Sequence, residues 1–185
     1  RGYPRLRNPP RQRGQGDRGD KEGCAAVTVV GDPVDIHAWQ RRPDGITTSG
    51  KLDPGDPVRL AGIGVRHVVN LALDDHPEAL SDEAALLAAQ GIAYTHIPVP
   101  FDAPTLHHVA MLQEALAVHR GPHHVHCIAN YRVTAFFYLI DCAAGVPEGE
   151  ALTRMAAVWN PLESGDPRVA VWRELLIQPL NTSNP

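Results

Sequence analysis

His123-His124-Val125-His126-Cys127-Ile128-Ala129-Asn130-Tyr131-Arg132-Val133-Thr134 reads as a short strand, a loop and the opening of a helix. Residues 123–126 supply the strand. From Val133 to about residue 144 the chain runs through Ala135-Phe136-Phe137-Tyr138-Leu139-Ile140, apolar nearly all round, as in a helix buried at the centre of a fold. The leading N–H groups of such a helix have no intrahelical partner, and with the helix dipole they make a site for an anion. A cysteine at that positive end is favoured as thiolate for the same reason. Arg132 offers a planar fork matched to two oxygens of a tetrahedral anion. Nucleophile, amides and fork all fall within residues 126–132.

Upstream, strand and helix patterns alternate. Residues 67–73 read as a strand and 81–90 as an Ala/Leu-rich helix stopped by Gly91. Residues 93–99 are the next strand, and 104–119 a helix stopped by Gly121-Pro122. This alternation predicts an α/β fold, with a central, mainly parallel sheet flanked by helices on both faces. Nearer the N-terminus, 37–41 and 46–48 flank Arg42-Pro43-Asp44-Gly45, a turn signal that predicts a hairpin. Asp53-Pro54 predicts the cap and first residue of a short helix toward Gly62 or Gly64. Beyond the central helix, Pro147 opens a helix to about Trp159, and Asp166-Pro167 leads into a last one ending near Ile177.

The chain has 185 residues, 43% hydrophobic and 21% charged, enough for one domain with a real core. Its formal charge of −4 is uneven, because residues 1–22 hold seven Lys/Arg against three acids and the remainder is acidic. Such a body lacks the basic face that nucleic-acid binding requires. Residues 1–23, rich in Arg, Gly, Pro and Gln, bury too little to offset their ordering entropy and predict a disordered basic tail. The folded domain is expected over 24–178, with an apolar stretch at 25–30 and a short tail at 179–185. No apolar run approaches a membrane span, and none follows the basic start as in a secretory signal. The chain opens on Arg1 rather than Met, as a fragment or a chain with a misassigned start would. Cys24, Cys127 and Cys142 are an odd set without metal-like spacing, read as reduced thiols of a cytoplasmic protein.

The unit of strand, His126-Cys127, loop, Arg132 and helix resembles the signature of the protein tyrosine phosphatase superfamily. Over roughly 46–172 the chain looks like the small bacterial dual-specificity-like branch. Thr48-Ser49-Gly50 precedes the first helix, Gly64-Val65-Arg66-His67-Val68-Val69-Asn70-Leu71 carries a strand, and His96-Ile97-Pro98-Val99-Pro100-Phe101-Asp102-Ala103-Pro104-Thr105 carries the next strand end and loop. The resemblance implies a phosphatase-like fold and two-step hydrolysis of phosphate monoesters. Cys127 attacks phosphorus while the amides of Ile128, Ala129, Asn130 and Tyr131 and the guanidinium of Arg132 hold the oxygens. Asp102 protonates the leaving oxygen, then acts as base on the water that releases the cysteinyl-phosphate. That acid must carry its proton before attack, so the Asp102 carboxyl is expected to be held protonated by partial burial or by the incoming dianion. His126 belongs to the electrostatic setting of Cys127, Asn130 orders the loop through its side chain, and Thr134 supplies the hydroxyl that usually follows the arginine. A phosphorylated protein or small phosphorylated molecule is the implied partner, with no cofactor and no metal required. The chain departs from the common signature in having four rather than five residues between Cys127 and Arg132, and no loop glycine, so the amide cradle must be tighter.

Two other readings compete. A rhodanese-like sulfurtransferase also places a cysteine at a strand end in a short loop, and would have no use for Asp102. A catalytically silent phosphatase fold would only bind phosphorylated partners, which the short, glycine-free loop motivates. Ordinary structural roles also stand beside the chemical ones. Asp102 can cap the helix near Pro104, and Asp74 and Asp75 can be a solvated pair. His123 and His124 are expected at a solvated or edge position, His107 and His108 on an exposed helix face, and Cys142, Trp39, Trp159 and Trp172 in the core.

Overall fold

The computed structural model describes residues 31–178, so the basic tail, Cys24, the apolar stretch 25–30 and the tail 179–185 lie outside the described residues. The hairpin forms as its turn residues dictate. β1 (Gln40–Arg41) pairs antiparallel with β2 (Thr47–Ser49), and Gly45 takes the positive φ of 86° between them. β3 (His67–Asn70), β4 (Ala93–His96) and β5 (His123–His126) complete a five-stranded sheet in the order β1-β2-β5-β3-β4, parallel apart from β1. β5 is the central strand, with Val125 opposite Thr48 of β2 on one side and Val69 of β3 on the other. Cys127 follows at its carboxyl end, where open α/β sheets bind ligands.

Six helices cover the sheet: α1 (Asp56–Gly62), α2 (Glu83–Ala88), α3 (Leu106–Val118), α4 (Tyr131–Ala143), α5 (Glu148–Ala156) and α6 (Ala170–Leu176). Alternation along the strands divides the core in two. Val69, Val125 and Cys127 pack with Leu112 of α3, Phe136 of α4, Met155 of α5 and Trp172 of α6. On the other face Val68 packs with Leu60 of α1, Leu87 of α2 and Ile92. The predicted α/β sheet with helices on both faces is the observed one.

Boundaries differ where side chains take over backbone roles. β3 stops at Asn70 rather than 73 because Asn70 Oδ1 accepts from Ala72 N at 2.7 Å and turns the chain. β4 stops at His96 because Pro98 has no N–H, although Ile97 and Val99 still donate to Asn70 O and Leu71 O. Asp53 does not cap α1. The cap is Gly55, and Asp53 N instead donates to Asp56 Oδ2 at 2.8 Å. Thr105, not Asp102, caps α3, sharing a capping box with His108. α4 begins at Tyr131, two residues before Val133, which sets Arg132 in its first turn.

The histidines correct a second expectation. His124 is fully buried and His123 half-buried, because β5 is the middle strand and not an edge. Thr47 Oγ1 and Ser49 Oγ satisfy the two ring nitrogens of His124, each at 3.0 Å, and burial holds its pKa well below 6.5. At the other end of β5, His67 stacks on His119 with centroids 3.8 Å apart, and its Nδ1 lies 3.1 Å from Nδ1 of His123. Burial, then the neighbouring imidazoles, push His67 down to about 4, and burial likewise lowers His123. These rings stay neutral in the fold while the unfolded chain takes up protons below pH 6.5. Stability is therefore complete above pH 6.5 and declines as pH falls toward 4, by up to ~1.4 kcal/mol per pH unit for each such group. Urea midpoints measured from pH 7.5 to 5 are expected to fall, with a flatter slope in His67→Asn. An equal slope in that variant would remove His67 from the account.

Candidate active site

The loop after β5 is held by neighbours distant in sequence. Cys127 N donates to Ser49 O at 3.4 Å, extending the β2–β5 ladder, and Lys51 N donates to Ile128 O at 2.9 Å. Gly50 permits this approach, since a Cβ there would lie 2.5 Å from His37 Cδ2 and 2.8 Å from Ile128 O. Asn130 takes the left-handed conformation (φ 62°) at the N-cap of α4. Its Nδ2 donates to Ala38 O at 2.8 Å and Thr48 Oγ1 at 3.1 Å, and its carbonyl accepts from Thr134 Oγ1 at 3.0 Å. Thr134 therefore braces the loop from inside α4.

The backbone N–H groups from Ile128 to Val133 donate to no acceptor among the described residues. Unpartnered N–H groups at a helix N-terminus are the donors that an anion would use. Cys127 is buried in the core face, while Ile128, Ala129 and Tyr131 are half-exposed. Arg132 is also buried, and its Nε donates to Val99 O at 2.8 Å. Its terminal nitrogens have no acceptor among the described residues, so the fork is unoccupied. Trp172 Nε1 donates to Phe101 O at 2.8 Å, so the stretch leading into Asp102 is fastened at two points. Asp102 itself is exposed and lines an open groove against α6 with Val171 and Glu174. Of the two causes expected to keep it protonated, partial burial does not apply, because this turn is open to solvent. Among the described residues no group of three His, Cys, Asp or Glu is placed to hold a metal ion, and no helix is long and apolar enough to cross a membrane.

Two neighbours of the site were not legible in the sequence. Trp159, expected as a core anchor, is half-buried and stacks on Tyr131, the first residue of α4, at 4.8 Å. Glu83 is buried 2.7 Å from His126, on the face of the sheet away from Cys127. Nothing in its local pattern distinguishes it from a solvated helix residue.

The sheet order, the cysteine at the carboxyl end of the central strand and the arginine in the first turn of the buried helix define a tyrosine-phosphatase-like α/β fold. Residues 42–144 match the family described as beta-lactamase hydrolase-like protein, phosphatase-like domain, and the chain belongs to that family. A DUF442 candidate phosphatase of Shewanella putrefaciens CN-32 is 31% identical, with a TM-score of 0.65 over 77% of this chain and 91% of that one. A candidate phosphatase of Neisseria meningitidis Z2491 is 21% identical (TM-score 0.59; 71% and 91% covered), and TpbA of P. aeruginosa 19% identical (TM-score 0.59; 77% and 86%). These two similarities concern the fold. Comparison with curated proteins yields no match.

Proposed function

We propose that the chain is a cysteine-dependent phosphatase that hydrolyses phosphate monoesters of a protein or a small molecule. The observation that carries this reading is the run of unpartnered amides between Cys127 and Arg132. In the first step Cys127 Sγ bonds to phosphorus, the ester oxygen leaves with the proton of Asp102, and the amides and Arg132 hold the three remaining oxygens. In the second step Asp102 takes a proton from water, whose oxygen displaces Sγ and frees phosphate. A reduced thiol is needed throughout, which fits the cytoplasm. TpbA has been seen in complex with pTyr, which makes phosphotyrosine one substrate to assay.

The assay uses phenyl phosphate and, separately, thiosulfate with cyanide. Phosphate release supports this reading, thiocyanate a rhodanese-like transferase, and neither a silent binding fold. Asp102→Asn is expected to slow phenyl phosphate by about 10²–10⁴-fold, and to slow an ester with a very acidic leaving group much less. Equal losses on both esters would make Asp102 structural, and no loss would remove it from the mechanism.

A further inference from the structure

On the sheet face away from Cys127 lies a buried polar cluster that neither step of the proposed reaction uses. The side chains of Glu83 and His126 are 5% and 4% exposed, and Glu83 Oε1 lies 2.7 Å from His126 Nε2. The contact falls outside hydrogen-bond geometry, and neither Oε1 nor either ring nitrogen of His126 makes a hydrogen bond among the described residues. Buried polar groups without partners are costly, so this contact is the one interaction available among the described residues to offset the desolvation of Glu83 Oε1 and His126 Nε2. His124 stacks on the far side of His126, with centroids 6.0 Å apart, and offers it no hydrogen bond.

The second carboxylate oxygen is fully engaged. Glu83 Oε2 accepts from Asn70 Nδ2 at 2.8 Å and from Tyr94 OH at 3.3 Å. Burial, then the charge of Glu83, push the Tyr94 hydroxyl up, which keeps it a donor. Asn70 Oδ1 accepts from Ala72 N, and Ala72 O accepts from His96 Nε2 at 2.8 Å. Leu71 N donates to His126 O at 2.8 Å. One carboxylate thus connects the residue before the nucleophile with the loop that follows β3.

We propose that Glu83 is a positioning residue of the Cys127 site: its carboxylate fixes the His126 ring and the peptide leading into Cys127, while Asn70 passes the same constraint to the loop after β3. This rests on Cys127 being the reactive group of the site. Glu83→Gln keeps the size and an acceptor oxygen but removes the charge. In that variant, alkylation of Cys127 by iodoacetamide, followed by peptide mass, is expected to slow about 10-fold. With phenyl phosphate, kcat is expected to fall by about the same factor while KM changes less than about twofold, and Glu83→Asp should recover part of both rates. A Glu83 that only stabilises the fold would lower the melting temperature and leave both rates of the folded protein unchanged, a result that overturns the proposal. Alkylation needs no turnover. Slowed alkylation in a protein whose wild type hydrolyses no phosphate would therefore end the phosphatase reading and keep this one. Should Glu83→Gln not fold, Tyr94→Phe removes only one donor to Oε2 and is expected to slow alkylation about twofold. An unchanged rate there overturns the proposal equally.

Discussion

Cys127→Ser is expected to lower phosphatase turnover by about 10⁴-fold or more, because an alcohol replaces the thiolate as nucleophile. The fold should tolerate the change, since oxygen is smaller than sulfur and the site sits at a strand end whose backbone bonds, Cys127 N to Ser49 O among them, are untouched. Anion binding should also persist, because the free N–H groups of residues 128–133 belong to the backbone. Titration of the Cys127→Ser variant with inorganic phosphate should therefore give an affinity within a few-fold of wild type while turnover disappears. Cys142→Ser is the matched control. That thiol lies in α4, half-buried, and burial pushes it up, away from the thiolate form. The control should retain full turnover, whereas an active Cys127→Ser variant would end the mechanism.

The contrast between the two cysteines shows what local sequence can carry. Strand, loop and helix around Cys127 are encoded within a few residues: an apolar helix, a cysteine at its positive end, an arginine one turn on. The alternation of periods upstream was enough to predict the parallel sheet. What escaped was decided by partners far along the chain. β5 is the central strand only because it pairs with both β2 and β3, so its histidines are buried, whereas nothing within residues 123–126 distinguishes a central strand from an edge. Asn130 is held by Ala38 and Thr48, more than eighty residues away, and Glu83 meets His126 from the far side of the sheet. Such contacts depend on register and crossover geometry, which have no local signature. Asp102 shows the reverse limit. The position of the loop after the fourth strand is legible in the sequence, but its openness to solvent depends on where α6 docks, and α6 comes from the last described residues of the chain.

Arg132 carries the second large effect. Its Nε is committed to Val99 O, and the terminal nitrogens have no acceptor among the described residues. The guanidinium carbon lies 5.4 Å from the centre of the Phe101 ring, so the plane of the fork is set by the same stretch that leads to Asp102. A guanidinium can hold the carbonyl and two phosphoryl oxygens together because its donors diverge in one plane. A lysine ammonium in the same place keeps the charge, but it must choose between Val99 O and the anion. Arg132→Lys is therefore expected to lower kcat/KM by about 10²-fold, equivalent to ~3 kcal/mol, or two charged hydrogen bonds of ~1.5 kcal/mol each. The loss should appear with both phenyl phosphate and esters of more acidic leaving groups, since the clamp acts on oxygens that stay with phosphorus. That pattern separates it from Asp102→Asn, which should discriminate between the two. Phosphate affinity should weaken in parallel, unlike in Cys127→Ser. If the lysine variant keeps half of the wild-type kcat/KM, the fork does not hold two oxygens at once. The site would then bind its anion through the backbone of α4 alone.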